Sequence, residues 1–125
     1  MQPEQIIRDL LANSSAVQQA VGNRIYTGMV PAGAIMPCIS VQTQGGEPIA
    51  SLDQPALAYK TRVAVIVIGS RQEVASIYEQ AVRIVLESSD AVNQGIVPVE
   101  GFRLELEDMG RDLCSCVSTY DVWHA

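Results

Sequence analysis

The chain has 125 residues, of which 48% are hydrophobic but only 5% aromatic, and this predicts one domain with an aliphatic core. Its net charge of −6 argues against a protein that binds nucleic acid by neutralising phosphates. No apolar run approaches the ~20 residues of a membrane span. The first residues lack the basic and apolar regions of a signal peptide, so we expect synthesis in the cytoplasm and no membrane partner.

Two short helices are predicted at the start of the chain. Pro3 suits the first position of a helix, and apolar residues recur at helical spacing over residues 3–12. Ser14 and Ser15 can cap a second helix, which Gly22 ends. We expect these helices either to cover the second face of the central strand or to pack beside the later helix.

The next segments predict short strands and a long loop. Residues 24–26 read as a short strand, residues 28–37 as an irregular crossing, and residues 38–43 as a strand with alternating character. Residues 44–56 are rich in Gly, Pro and polar residues, and loops of this length tend to be functional or disordered. Its apolar residues either tuck back onto the body or bury on a neighbouring molecule as an arm. The candidate contact residues of this arm are Gly45, Gly46, Glu47, Pro48, Ile49 and Leu52.

Residues 59–86 predict the centre of the fold. The β-branched run over residues 63–68 is apolar on both sides, which is typical of a central strand that needs cover on both faces of its sheet. Ser70 and Glu73 fit a capping box, and an amphipathic helix follows as far as Leu86.

The last part of the chain predicts a connection over residues 88–101 and then two strands, 102–108 and 113–123, joined by a short turn. Strict alternation places Glu105 and Glu107 on the solvent side of the first strand, with Asp108 beside them. Together these elements predict an α+β fold. It consists of a mostly antiparallel sheet packed against one long helix, with two short N-terminal helices, in a single domain over residues 1–125.

No catalytic, cofactor or metal site is expected. Cys38, Cys114 and Cys116 are an odd number of cysteines in a chain without a secretion signal, which favours free, buried thiols. The single histidine, His124, lies near the C-terminus, so a zinc site is not expected. Asp121 and His124 would point to opposite faces of a strand, which makes a thiol–histidine catalytic pair a poor reading.

Several segments in a fixed order carry a resemblance to a known family. They are residues 21–26, 36–41 and 62–67, the Ser-x-x-Glu helix start at Ser70, residues 81–86 and residues 118–124. In this order and at this length they resemble the tail completion proteins of long-tailed bacteriophages and prophages. These are similar in role to the tail terminator proteins of siphophages.

The resemblance implies a structural, non-enzymatic protein of the virion. Family members form a ring, typically a hexamer, on the head-proximal end of the tail tube. The ring stops polymerisation of the tail tube protein, offers a docking surface to the head completion or connector protein, and lets DNA pass without specific binding. An acidic face made of Glu105, Glu107 and Asp108 would suit the wall of such a channel. The alternatives are another head–tail connector (neck) protein and, from a different class, a small cytoplasmic thiol enzyme.

Overall fold

The computed structural model describes residues 2–49, 58–108 and 112–124, and these form a five-stranded sheet with helices. Across the sheet the strand order is β1-β2-β3-β5-β4. In chain order the strands are β1 (Ile25–Thr27), β2 (Cys38–Ile49), β3 (Ala58–Gly69), β4 (Ile96–Asp108) and β5 (Asp112–His124). β1 pairs with β2 in parallel and the other neighbours pair antiparallel, so the sheet is mixed. The predicted α+β class is confirmed, and β3 is the central strand as expected.

The helices lie before β1 and between β3 and β4. They are α1 (Pro3–Ala12), α2 (Ser15–Val21), α3 (Arg71–Ile77), α4 (Arg83–Leu86) and α5 (Ser89–Asn93). The chain makes a π-helical turn, Tyr78–Val82, between α3 and α4. Both predicted N-terminal helices are confirmed. Ser14 caps the second one, because its hydroxyl accepts a hydrogen bond from the Val17 N–H at 3.4 Å.

The hydrophobic core lies on one face of the sheet. Val63, Val65 and Val67 of β3 are at most 1% exposed and belong to one cluster with residues of the helices. Ile7 of α1 and Val74 of α3 are both in this cluster. The short N-terminal helices therefore pack beside the later helix on the same face, which is the second of the two predicted arrangements.

The segment from α3 to α4 begins with the predicted capping box. The Ser70 hydroxyl accepts from the Glu73 N–H, and the Glu73 carboxylate accepts from the Ser70 N–H, both at 3.3 Å. Val74 and Leu86, at the two ends of the predicted apolar stripe, are fully buried. The segment is continuous but is not one regular α-helix, since the π turn separates α3 from α4. Sequence periodicity could not reveal this, because one π turn shifts the apolar stripe by only one residue.

β2 continues beyond its predicted end. Residues 44–49, predicted as the start of a long loop, belong to β2: the register shifts between Thr43 and Gly45 as in a β-bulge, and residues 45–49 pair with β3. Gly45 has a φ of 150°, and a Cβ on Gly46 would lie 2.9 Å from the Thr61 hydroxyl oxygen. The loop prediction is wrong for these residues because the two glycines permit a bulge and a close strand contact rather than a turn. The rest of the predicted loop lies outside the described residues.

α5 and the start of β4 occupy the segment predicted as a connection, residues 88–101. The Ser88 hydroxyl accepts from the Ala91 N–H at 3.2 Å and caps α5. Gly95, with a φ of 84°, leads into β4, and its carbonyl accepts from the Trp123 N–H at 2.9 Å. The prediction is wrong here because a helix of five residues is too short to establish a periodic pattern.

The last two strands pair antiparallel, as predicted. Leu106 lies opposite Cys114 and Leu104 opposite Cys116, at positions on the core face of the sheet. Tyr120, also on this face, is 1% exposed. The predicted turn between the strands lies outside the described residues apart from its last residue, which begins β5.

We expect replacement of Gly95 to destabilise the protein more than replacement of Gly33, although both have a φ near 80°. A Cβ on Gly33 meets nothing within 4 Å, so Gly33→Ala costs only the backbone strain, about 1 kcal/mol. A Cβ on Gly95 would lie 2.6 Å from the Trp123 carbonyl oxygen, so Gly95→Ala costs at least ~3 kcal/mol of unfolding free energy. Urea unfolding followed by circular dichroism measures both, and equal losses would contradict the close contact.

Candidate functional site

The sheet has a second face on which no helix of the described chain packs, called here the helix-free face. It is formed by Ser40 and Gln42 of β2, by Lys60, Arg62, Ala64, Ile66 and Ile68 of β3, and by Ser115, Val117, Thr119, Asp121 and Trp123 of β5. Ala64 at its centre is 1% exposed, but Ile66 and Ile68 are only partly buried. We predicted that both faces of β3 need cover, and in the described chain helices cover only one of them.

Part of the helix-free face is covered by the irregular crossing of residues 28–37. The Gly28 carbonyl accepts a hydrogen bond from the Ser40 hydroxyl on this face, and the Gly28 N–H donates to the Val41 carbonyl at 2.9 Å. At the other end of the crossing, the Arg24 Nε donates to the Pro37 carbonyl at 2.9 Å. The crossing is therefore tied to β2 at one end and to Arg24, the residue before β1, at the other.

The two edges of the sheet differ in length. β1 has 3 residues, whereas β4 has 13 and pairs with β5 on one side only within the described chain. Val97, Val99 and Trp123, beside this long edge, are 41–46% exposed. A long free edge beside exposed apolar side chains is an arrangement in which another chain can add as a strand. The sequence analysis did not single out these three residues, although the alternation of Val97 and Val99 was a usable signal.

The base of the candidate arm is polar. The Arg62 Nε and Asp121 Oδ1 atoms are 3.1 Å apart in an exposed ion pair. This pair borders a cavity of about 330 Å³ that is lined by Gln44, Gly45, Gly46, Lys60, Arg62 and Asp121. Glu47, Pro48 and Ile49 continue β2 opposite Lys60, Tyr59 and Ala58, and Leu52 lies outside the described residues. The structure thus places five of the six candidate contact residues in β2, at the end of the β2–β3 ladder.

The acidic candidates lie on β4. Glu105 is opposite Ser115 and Glu107 is opposite Leu113, two positions that share one face of the sheet. Since Ser115 belongs to the helix-free face, the alternation of β4 puts these two acidic positions on that face as well. Asp108 is opposite Asp112, one residue further along the ladder.

The thiols of Cys38 and Cys116 are poor nucleophiles. Cys38, Cys114 and Cys116 are free and buried, as the sequence analysis expected. Burial, together with the neighbouring Cys114, raises the pKa of Cys116 to about 12. Burial also raises the pKa of the Cys38 thiol. Because the thiolate is the reactive form, neither of these two cysteines is activated for catalysis.

Asp121 and His124 lie on different faces of β5. Asp121 faces Arg62, while the His124 Nε2 atom is 2.7 Å from the Thr61 hydroxyl oxygen and the His124 ring stacks on Tyr59 at 5.8 Å. Within residues 2–49, 58–108 and 112–124, no group of three or more His, Cys, Asp and Glu residues is placed to hold a metal ion. Among the described helices, none has the length and apolarity that crossing a membrane requires.

Comparisons with known proteins point to phage particles. The family model described as tail completion protein gp17 matches residues 5–109. A chain from the solved structure of the virion of a native gene transfer agent particle has the same fold, with a TM-score of 0.61 and 10% sequence identity. That match covers 98% of this chain and 93% of the other. No curated protein sequence matches.

We expect Cys116 of the folded protein to react slowly with iodoacetamide at pH 8. Its pKa of about 12, against an ordinary value of 9.0, leaves roughly a thousandfold less thiolate. Mass spectrometry of the alkylated protein measures the rate, and the protein in urea is the control in which all three cysteines react. Because the unfolded thiol ionises near pH 9 and the folded one near 12, the free energy of unfolding should fall as the pH rises from 9 towards 12. Rapid alkylation of folded Cys116 at pH 8 would contradict this prediction and support the alternative hypothesis of a thiol enzyme.

Proposed function

We propose that this chain, which belongs to the tail completion protein gp17 family, closes the end of a phage tail tube as a homo-oligomeric ring. The observation that carries the proposal is the family match, which extends over residues 5–109. A tail completion protein is a structural component of the phage particle, so the place of this chain is in a virion. In this proposal the ring also ends polymerisation of the tube protein and presents a docking surface to the head connector.

The helix-free face and the edge of β4 support the formation of an assembly. A ring is built from head-to-tail contacts, so each subunit must offer two different and complementary surfaces. The described chain has partly buried isoleucines on the helix-free face and exposed Val97, Val99 and Trp123 beside the long edge of β4. Such surfaces are stabilised when another chain covers them.

The hairpin of β2 and β3 would supply an arm between subunits. β2 pairs with β3 as far as Ile49, so residues 45–49 form a hydrogen-bonded ladder rather than a free loop. The bulge between Thr43 and Gly45 strengthens the local twist and so sets the direction in which the end of this ladder points. We place the contact residues of the arm at Ile49 and Leu52, which would bury on the neighbouring subunit.

The channel wall would be acidic. Glu105 and Glu107 occupy positions on the same face of β4, and the whole chain carries a net charge of −6. An acidic wall repels the DNA phosphates, which lets DNA slide through the ring without being held. This assignment requires the helix-free face near β4 to line the channel.

The mass of the protein in solution tests the proposed ring. We expect light scattering to give either a ring, about 81 kDa for six copies of 13.5 kDa, or a monomer that becomes a ring when tail tube protein is added. The same rings should not retain duplex DNA at low salt, because their wall is acidic. A monomer without affinity for tube protein would contradict the proposed function, and binding only to a head connector would favour the neck-protein alternative.

Removal of its apolar side chains tests the arm. The double variant Ile49→Ser/Leu52→Ser should lose ring assembly while it stays folded, because both apolar contacts would be removed from the subunit interface. Val92→Ser is the matched control, since Val92 is 58% exposed on α5 and no subunit contact is assigned to it. Sedimentation velocity of the three proteins, with tube protein added, measures assembly. Normal rings from the double variant would refute the arm while leaving the ring itself intact.

A further inference from the structure

Two residues of β2 are fully buried on the helix-free face, although no helix of the described chain packs there. Cys38 lies opposite Ile68 and Ser40 lies opposite Ile66, so the alternation of β2 places both on this face. Both are 0% exposed. In the described chain, Cys38 does not belong to the hydrophobic cluster under the helices. The burial of these two residues therefore has another source.

The crossing of residues 28–37 supplies this cover. The Ser40 hydroxyl donates a hydrogen bond to the Gly28 carbonyl at the start of the crossing. The Cys38 thiol donates to the Met36 sulfur, near the end of the crossing, at 3.6 Å. The two ends of the crossing thus contact the two residues of β2 that are buried on this face.

The crossing adds no buried residue of its own. None of its ten residues is buried, and Met29 and Ile35 are 89% and 69% exposed. Within the described chain, residues 29–35 form no hydrogen bond with another element, and the Ala34 N–H donates to the Pro31 carbonyl inside the crossing. A segment with so few buried contacts opens at a lower free energy than the core of a protein.

The two ends of the crossing provide a hinge and an anchor. Gly28 has a φ of 85°, and a Cβ added to it would meet nothing within 4 Å. Residues with this backbone freedom can absorb the change in dihedral angles that a hinge motion requires. At the other end, the Arg24 Nε donates to the Pro37 carbonyl at 2.9 Å. Release of this hydrogen bond would free the crossing without breaking a contact of the hydrophobic cluster.

We propose that the crossing is a cover that opens while the core stays folded, and that it must open before the β2 side of the helix-free face can join a neighbouring subunit. The inference rests on the proposed function, in which this face takes part in assembly. While the crossing is closed, Cys38 and Ser40 are out of reach of another chain. The fraction of molecules with an open crossing therefore sets the apparent affinity of assembly.

Alkylation of Cys38 measures the opening. In the folded protein at pH 8, urea below the unfolding transition should hardly change the rate at which iodoacetamide modifies Cys38, because a local opening exposes little surface. Cys114 and Cys116 belong to the cluster under the helices, so their rates should rise steeply with urea, as global unfolding does. Peptide mass spectrometry separates Cys38 from the other two. Equal urea dependence for Cys38 and Cys116 would overturn the proposal.

The variant Arg24→Ala tests the anchor. It should speed the alkylation of Cys38 roughly tenfold, because it removes the hydrogen bond of a charged side chain to the Pro37 carbonyl. The Arg24 charge lowers the pKa of Cys38, so its loss alone would slow alkylation, and an acceleration reports the opening. Arg8→Ala, on α1, makes the same change of charge and should leave the rate unchanged. An unchanged rate in Arg24→Ala, or an equal acceleration at Cys116, would overturn the cover.

Sedimentation velocity with tail tube protein measures the effect on assembly. Arg24→Ala should assemble at a concentration roughly tenfold lower than the wild type, in step with its larger open fraction. Weaker assembly together with faster alkylation of Cys38 would overturn the cover and make the closed crossing itself a contact. Failure of the wild type to assemble would overturn the proposed function and the link to assembly, while the alkylation rates would still decide whether the crossing opens.

Discussion

The central constraint on this fold is that β3 is apolar on both of its sides. Val63, Val65 and Val67 are buried under α1, α3 and the π turn, so one face of the sheet is closed by a helical layer. The other side of the same strand carries Ala64, Ile66 and Ile68, for which the described chain offers only neighbouring side chains and one irregular crossing. On this side Ala64 is 1% exposed, whereas Ile66 and Ile68 are only partly buried, so the cover is incomplete at these two residues.

The large apolar residues of the described chain divide between a buried core and several exposed positions. Among the buried residues, the thiols of Cys38 and Cys116 stay protonated, because burial raises their pKa. The exposed apolar residues lie instead at the crossing, the edge of β4 and the surface of the helices. Such a distribution suits a protein whose work is to contact other proteins, in agreement with its membership of a structural phage family.

The sequence predicted those elements whose signals are local and strong. The capping box at Ser70, the apolar stripe behind it and the alternation of the last two strands all led to the observed elements. The prediction was wrong where one sequence signal fits two structures. Gly45 and Gly46 led to the prediction of a loop, but glycines accompany a β-bulge as readily as a turn. The helix-free face could not be predicted, because it depends on which distant segments pair and pack together rather than on any local pattern.

The π turn has a consequence for the length of the chain between β3 and β4. A π-helical turn contains one residue more than an α-helical turn needs, so loss of one residue from Tyr78–Val82 would leave a regular helix. The residues after the turn would keep their direction, because a π turn completes with one extra residue about the same rotation that an α-helical turn completes without it. Leu86 would therefore stay in the core and Ile84 would stay exposed. The π turn thus accommodates one extra residue without turning the apolar stripe away from the sheet, so a chain one residue shorter at this point can keep the same core.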